Sequence, residues 1–186
     1  MPHIKINFDD IVFDTKVQTL CISPQFKCPY YGHSWACPPE APYMEEQISK
    51  YSKFFLIYSK FNLAEYLERK KKRHPKCSEQ VIRNRFYIRN TTRNDLENEI
   101  FQFLQLSTEN YEDRFILWDG HCRVCEQKAY KKCSYDENEA CRFPNQIRYS
   151  MEAVGIHVSK TVKNLGFEIE WPPIKNYYRF ALVCID

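Results

Sequence analysis

Glycine is scarce in this chain, with only 4 among 186 residues, and no long apolar run is present. The glycine-rich patterns that cradle nucleotide phosphates, GxGxxG and the P-loop, are missing, as is the GxSxG pattern of serine hydrolases. The best candidate for an apolar run, residues 54–58, is far shorter than the roughly 18–20 residues that a membrane-spanning helix needs. These absences argue against a nucleotide-binding enzyme and against a membrane partner.

Charge is nearly balanced, because 27 Lys and Arg residues stand against 24 Asp and Glu residues, for a net charge of +3. With 44% hydrophobic residues, this balance favours a globular protein and gives no sign of nucleic-acid binding. One basic run, residues 69–74, is interpreted as the solvated end of a helix. The N-terminus lacks the basic and apolar regions of a secretory signal, so a cytoplasmic location is expected.

Cysteine is the informative residue type, with nine in the chain. In a reducing compartment, thiols cluster mainly for metal binding or catalysis rather than for disulfides. Most of them fall into two motifs, residues 21–39 and 122–144, that are rich in turn-forming residues. The cysteines of the first motif are Cys21, Cys28 and Cys37, and those of the second are Cys122, Cys125, Cys133 and Cys141. We therefore predict one metal-binding domain over residues 1–186, with both motifs in loops.

The second motif contains a complete set of metal ligands. Four thiolates bind either a tetrahedral zinc ion or a 4Fe-4S cluster. The two residues between Cys122 and Cys125 let both sulfurs reach one centre. Pro144, which is separated from Cys141 by two residues, resembles the proline that commonly follows the last cysteine of ferredoxin-type runs. The alternative is a set of ordinary buried thiols, but the stretch is rich in Lys, Glu and Asn, which is not typical of a core.

The first motif supplies three thiols and leaves a fourth ligand position open. His33, Cys77, a water or a substrate could fill it, and an open position is typical of a reactive rather than a structural metal. A closed site completed by Cys77 is an equal alternative, and simple packing of thiols and aromatic residues beneath a loop is a third. Cys184 lies in an apolar run and is expected in the core. His121 and His157 are interpreted as structural residues.

Apolar periodicity predicts alternating helices and strands. Helices are predicted to start near Pro42 and to span residues 62–74, 94–106 and 150–165. Strands are predicted over residues 54–61, 114–118, 167–171 and 177–185. The fold class that follows is α+β (or α/β): a single layered domain with a mixed sheet of about four to five strands, flanking helices and cysteine-rich loops at its edge.

Two stretches of the sequence carry a family resemblance. The first runs from Cys28 to Pro39 and reads CPYYGHSWACPP. The second begins at Cys122, continues through CRFP at 141–144 and ends with SMEAVGIHV at 150–158. Together, and in that order, they resemble the predicted metal-binding proteins grouped as domain of unknown function 2284, over about residues 15–185. The resemblance implies a cysteine-rich protein that binds a metal or an iron–sulfur cluster.

The resemblance also implies which cysteines are ligands. Those that match the two family motifs are Cys21, Cys28, Cys37, Cys122, Cys125 and Cys141. Cys133 departs from the family pattern, in which the third cysteine lies close behind the CxxC pair, at residues 126–128 of this chain. Beside the motif, Arg142 and Arg148 are expected to donate charge-assisted hydrogen bonds to anionic sulfurs, which would raise the potential of a cluster.

Three functional hypotheses follow. In the first, the second motif holds a 4Fe-4S cluster, the first motif holds or helps to hold a second centre, and the protein transfers electrons or gives redox support to a partner enzyme. In the second, zinc stabilises an interaction module and contributes folding energy. In the third, the open three-cysteine site is catalytic. The sequence does not specify the oligomeric state or a substrate.

Overall fold

A four-stranded sheet lies at the centre of the computed structural model, which describes residues 2–23, 26–88, 91–106 and 113–186. The strands in these described ranges are His3–Ile6 (β1), Ile22–Ser23 (β2), Phe26–Lys27 (β3), Lys53–Asn62 (β4), Arg114–Leu117 (β5) and Asn176–Ile185 (β6). The central sheet has the order β1-β4-β6-β5, and β2 and β3 form a separate ribbon. The predicted α+β class is confirmed. The paired strands of the central sheet all run antiparallel, whereas a mixed sheet was predicted.

Strands β4 and β6 are the centre of the sheet and are buried on both faces. They pair over their full lengths of ten residues. The side chains of Leu182 and Cys184 pack into a hydrophobic cluster on one face, and those of Ala181 and Val183 pack into a cluster on the other. A strand that is buried on both faces has a continuous apolar sequence rather than an alternating one. The prediction that Cys184 belongs to the core is confirmed, because this residue is fully buried.

Helices flank the sheet. They are Glu45–Ile48 (α1), Leu63–Arg73 (α2), Glu79–Ile88 (α3), Thr91–Leu106 (α4), Val124–Gln127 (α5) and Val158–Asn164 (α6). Helix α4 covers one face of the sheet with Leu96, Ile100 and Phe103, which recur at helical spacing. Helix α2 begins where the Asn62 side chain accepts a hydrogen bond of 3.1 Å from the Glu65 N–H. No helix in the described part of the chain combines the length and apolarity needed to cross a membrane.

The helix predictions are confirmed in the middle of the chain and fail elsewhere. Helices α2 and α4 confirm the predictions over residues 62–74 and 94–106. The helix predicted to start near Pro42 is reduced to the single turn α1. Helix α3 has no counterpart among the sequence predictions.

The single helix predicted over residues 150–165 is wrong. Ser150 instead forms a β-bridge with Trp118, and a short 3-10 turn, Glu152–Val154, ends at Gly155 before α6 begins. Gly155 has a φ of 96°, which places it in the left-handed region that stops a helix. The Tyr43 ring occupies the space where a Cβ of residue 155 would lie. The regular spacing of valines therefore spans two separate elements, both of which contribute to one core.

The strand predicted over residues 167–171 is also wrong. This segment is irregular and pairs with none of the described strands. The Phe167 ring packs edge-on against the rings of Tyr58 and Phe180, at centroid distances of 5.0 and 5.2 Å. The aromatic composition that predicted a strand thus serves to pack the segment onto the face of the sheet, not to extend its edge.

Candidate metal centre

The second cysteine motif forms loops that surround one cavity. Cys125 lies in helix α5 and Cys122 lies just before it, whereas Cys133 and Cys141 lie in the irregular chain that follows. All four residues line a cavity of about 250 Å³. The fold therefore places the four cysteines of the second motif around the same cavity.

The thiols of this motif also interact electrostatically. Burial raises the pKa of the Cys141 thiol, and the neighbouring thiols of Cys133, Cys122 and Cys125 raise it further. Each negative charge in such a group disfavours the next one. A bound metal cation would offset this repulsion between thiolates, because it stabilises all of them at once and their protons are released.

The three thiols of the first motif form a second group. Cys21 ends a 3-10 helix, and its carbonyl accepts a hydrogen bond of 2.8 Å from the Cys28 N–H. Burial, followed by the neighbouring Cys28 thiol, raises the pKa of Cys21 to about 11. The same two causes raise the pKa of Cys37 to about 12, although a hydrogen bond with Ser34 acts in the opposite direction. Cys21, Cys28 and Cys37 are therefore neighbours in space, as their shared motif predicted.

The two motifs pack against each other. The Tyr30 ring stacks on the His121 ring with a centroid distance of 3.5 Å and an interplanar angle of 10°. The Cys122 thiol is among the groups that raise the pKa of Cys37, so the two cysteine groups adjoin. These contacts join segments that lie about half the chain apart in sequence.

Polar contacts at the rim of the cavity also join the first cysteine motif to the second. The Nδ1 atom of His33 lies 2.8 Å from an Asp136 carboxylate oxygen. The Trp35 indole N–H donates a hydrogen bond of 3.0 Å to the carbonyl of Glu139. Both His33 and Trp35 line the cavity, so the first motif covers the thiols of the second.

Two candidate residues lie elsewhere. The structure places Cys77 against the hydrophobic cluster formed by α2 and α3, which does not support a site in the first motif completed by Cys77. His157 caps α6 by accepting a hydrogen bond from the Lys160 N–H, as expected for a structural residue. Among the described residues, no group of three or more His, Cys, Asp or Glu side chains is arranged to hold a single metal ion.

Buried arginines lie behind the second motif. Arg123 pairs with Glu97, and Arg148 lies 3.6 Å from the same carboxylate. Arg93 donates a hydrogen bond to the backbone oxygen of His121. Burial, Arg93 and Arg123 lower the pKa of His121 to about 3, so this imidazole is neutral. Sequence reasoning missed Arg93 and Arg123, because nothing in the linear pattern places α4 behind the cysteine loop.

The two arginines that were predicted near the sulfurs do approach them. Partial desolvation lowers the pKa of Arg142, but the Cys125 thiol and the carboxylates of Glu137 and Glu139 together outweigh it and raise this pKa overall. Burial lowers the pKa of Arg148, and the charges of Glu97 and Cys122 oppose this effect. Arg148 also stacks over the Trp118 ring at 4.1 Å. The second motif is thus bordered by cations that would stabilise negatively charged sulfurs.

The fold and the site define a class of cysteine-rich α+β protein that combines an antiparallel sheet with a cavity lined by four cysteines. The family model described as "Predicted metal-binding protein (DUF2284)" matches residues 4–185, nearly the whole chain. The chain belongs to this family of predicted metal-binding proteins. No curated protein and no solved structure matches it.

The raised thiol pKa values predict slow alkylation of the first motif in the metal-free protein. A pKa of about 12 leaves Cys37 with far less thiolate at pH 8 than an ordinary cysteine. We expect iodoacetamide to modify Cys37 more than about tenfold more slowly than it does in the unfolded chain, with the rate rising as pH increases towards the pKa. Mass spectrometry of timed digests measures both rates. Equal rates in the folded and unfolded chains at pH 8 would contradict the prediction.

A second prediction concerns Cys77. Because this thiol packs against α2 and α3, Cys77→Ala should leave the metal content of the protein unchanged. It should lower the free energy of unfolding by only about 1 kcal/mol, since a small, partly buried group is removed. Elemental analysis and urea denaturation test the two parts. A loss of bound metal would show that Cys77 is a metal ligand.

Proposed function

We propose that the chain is an iron–sulfur protein that transfers electrons to, or supports the redox chemistry of, a partner enzyme. In this proposal Cys122, Cys125, Cys133 and Cys141 hold a 4Fe-4S cluster. The observation that carries it is the arrangement of these four thiols around one cavity of about 250 Å³. Four thiolates are the ligand set of such a cluster, and a cavity of this volume has room for a group of several atoms.

The polar groups behind the cavity fit an anionic group within it. A centre that is held by four thiolates carries net negative charge. The buried arginines Arg93 and Arg123 are only 6% and 7% exposed. Their Nε atoms and His121 Nε2 are buried and have no hydrogen-bond partner among the described residues. Of these residues, His121 lines the cavity and the two arginines do not, so a negatively charged group in the cavity would offset the cost of burying His121 Nε2.

The first motif is proposed to hold, or to help to hold, a second centre. Its three thiols adjoin one another, and Cys37 adjoins Cys122 of the second motif. Two centres in such proximity would allow an electron to pass between them without a large rearrangement of the chain. The aromatic rings of Tyr30 and Trp35 line the cavity and would shield it from water.

The chain's own residues would set the properties of the centre. When bound, the cluster supplies one-electron redox chemistry. Arg142 donates to the Cys125 sulfur, and Arg148 places positive charge near Cys122. Positive charge and donated hydrogen bonds favour the more negative, reduced state and raise the reduction potential. The contacts of His33 and Trp35 hold the covering loop in place.

Metal and sulfide analysis tests this proposal. The full chain is purified without oxygen, because exposed thiolates oxidise readily, and its iron, zinc and acid-labile sulfide are measured with a visible spectrum. About four irons per chain with matching sulfide would support one cluster, and about eight would give the first motif its own cluster. Stoichiometric zinc in a colourless protein would overturn the proposal and favour a zinc-stabilised interaction module.

A further inference from the structure

Arg93 holds His121 in a way that fixes the proton on its ring. The Nη2 atom of Arg93 donates to the backbone oxygen of His121, and Nη1 lies 3.2 Å from His121 Nδ1. A guanidinium donates hydrogen bonds and cannot accept them, so Nδ1 must be the acceptor. A ring nitrogen that accepts a hydrogen bond carries no proton, so the ring proton of His121 is on Nε2. His121 therefore presents an Nε2–H donor.

This donor lies at the cysteine cavity without an acceptor of its own. His121 lines the same cavity as the four thiols of the second motif. Its Nε2 atom is buried and has no hydrogen-bond partner within the described parts of the chain. The nearest carboxylate oxygen of Glu126 lies 3.5 Å away, at the outer limit of hydrogen-bond geometry.

The ring that carries the donor is held on two sides. The Tyr30 ring stacks flat against it, which fixes the ring plane. Arg93 fixes rotation within that plane through its two contacts with His121. The guanidinium of Arg93 also packs against Gly120, where an added Cβ would lie 3.5 Å from Cζ. A donor that is buried, oriented and unpaired costs free energy unless a bound group accepts from it.

We propose that His121 is a hydrogen-bond donor to the centre held by the second motif, and not one of its ligands. The inference rests on the proposed function for the identity of that centre. The Nε2–H group donates to a thiolate or sulfide sulfur, and Arg93 is the positioning residue that keeps the proton on Nε2. A ligand role would need a bare Nε2, and the proton would then move to Nδ1, where it would oppose the N–H of Arg93.

The position of the proton can be measured without a metal. Long-range ¹H–¹⁵N spectra of the metal-free full chain, labelled at histidine, distinguish a protonated Nε2 from a protonated Nδ1. We expect a protonated Nε2 and a bare Nδ1 for His121. Arg93→Lys, which retains a donor, should preserve this tautomer, whereas Arg93→Met should allow both. A protonated Nδ1 in the unsubstituted protein would overturn the proposal.

The effect on the centre is measured by its reduction potential. His121→Phe retains a ring against Tyr30 but removes the donor. In the iron-loaded protein we expect this change to shift the one-electron reduction equilibrium about tenfold, the effect of one charge-assisted hydrogen bond. That shift corresponds to a fall of about 59 mV in midpoint potential. An unchanged potential would overturn the proposal.

His74→Phe is the matched control. His74 is exposed at the C-terminal end of α2 and does not line the cavity. Its replacement should leave the potential close to that of the unsubstituted protein. If His121→Phe loses iron while His74→Phe retains it, His121 is a ligand and the proposal is wrong.

The two proposals fail in different ways. If the chain binds zinc and no iron, the iron–sulfur proposal fails, and the spectra of the zinc-loaded protein still test His121. An Nε2–H proton that is protected from exchange would support the donor role. A metal-bound Nε2 without a proton would overturn it.

Discussion

Cys125→Ser is expected to abolish the proposed 4Fe-4S cluster. Iron and labile sulfide should fall from about four per chain to well below one, and the visible absorption should disappear. The reason is that Cys125 lies in α5 at the cavity, where its sulfur also accepts a hydrogen bond from Arg142. Removing one of four thiolates leaves the remaining three without a closed ligand set, and serine is a poor substitute for a soft thiolate.

The control for this loss is the Cys77→Ala protein, which removes a thiol outside both motifs. Circular dichroism of the two variants in their metal-free forms shows whether the fold persists. If Cys125→Ser retained full iron and sulfide, Cys125 would not be a ligand and the four-thiol site would be wrong. If both variants lost iron to the same extent, the loss would reflect general instability and not ligation.

Gly155→Ala is expected to destabilise the fold by about 2–5 kcal/mol. Holding alanine at a φ of 96° costs about 1–2 kcal/mol. The new methyl group would also overlap Cδ2 and Cε2 of the Tyr43 ring, and displacing a packed side chain costs about 1–3 kcal/mol. Urea denaturation of the metal-free protein measures the sum. The change acts on the core, because Val154 and Ile156 on either side of Gly155 are fully buried.

Gly32→Ala separates the two causes. Gly32 also has a positive φ, of 70°, but among the described residues no atom lies within 4 Å of its would-be Cβ. We expect it to lose only the backbone contribution, about 1–2 kcal/mol. Equal losses for both glycines would show that the contact with Tyr43 is unimportant. Tyr43→Ala removes the ring, and in the Gly155→Ala background it should recover part of the steric cost.

The region around Gly155 also links the core to the first cysteine motif. The Asp14 N–H donates a hydrogen bond of 2.8 Å to the Gly155 carbonyl, at the start of the 3-10 helix that ends at Cys21. The Gln18 amide, in the same helix, donates to the carbonyls of Ala41 and Ala153. A displacement at Gly155 is therefore expected to reach the thiols of the first motif as well as the core.

Local sequence pattern predicted the helices and strands that are specified by residues within the same segment. Strands β4 and β6 are continuous apolar runs, and helices α2 and α4 carry their own caps or apolar stripes. Local pattern failed over residues 150–165, because the spacing of valines does not reveal that the Tyr43 ring, from a distant part of the sequence, lies against Gly155. It failed at residues 167–171 because aromatic residues pack onto a sheet as readily as they join one.

The sequence by itself determined that the chain is cysteine-rich and that most of its thiols fall into two motifs. It also determined the resemblance to a family of predicted metal-binding proteins, because the spacing within each motif is a property of residues close together in the sequence. Only the tertiary structure decided that the two motifs adjoin at one cavity, that Cys77 lies apart from them, and that Arg93 orients His121 beside the thiols. These relations join loops and helices that are distant in sequence. They depend on how the antiparallel sheet and α4 bring those segments together, and no local pattern records that arrangement.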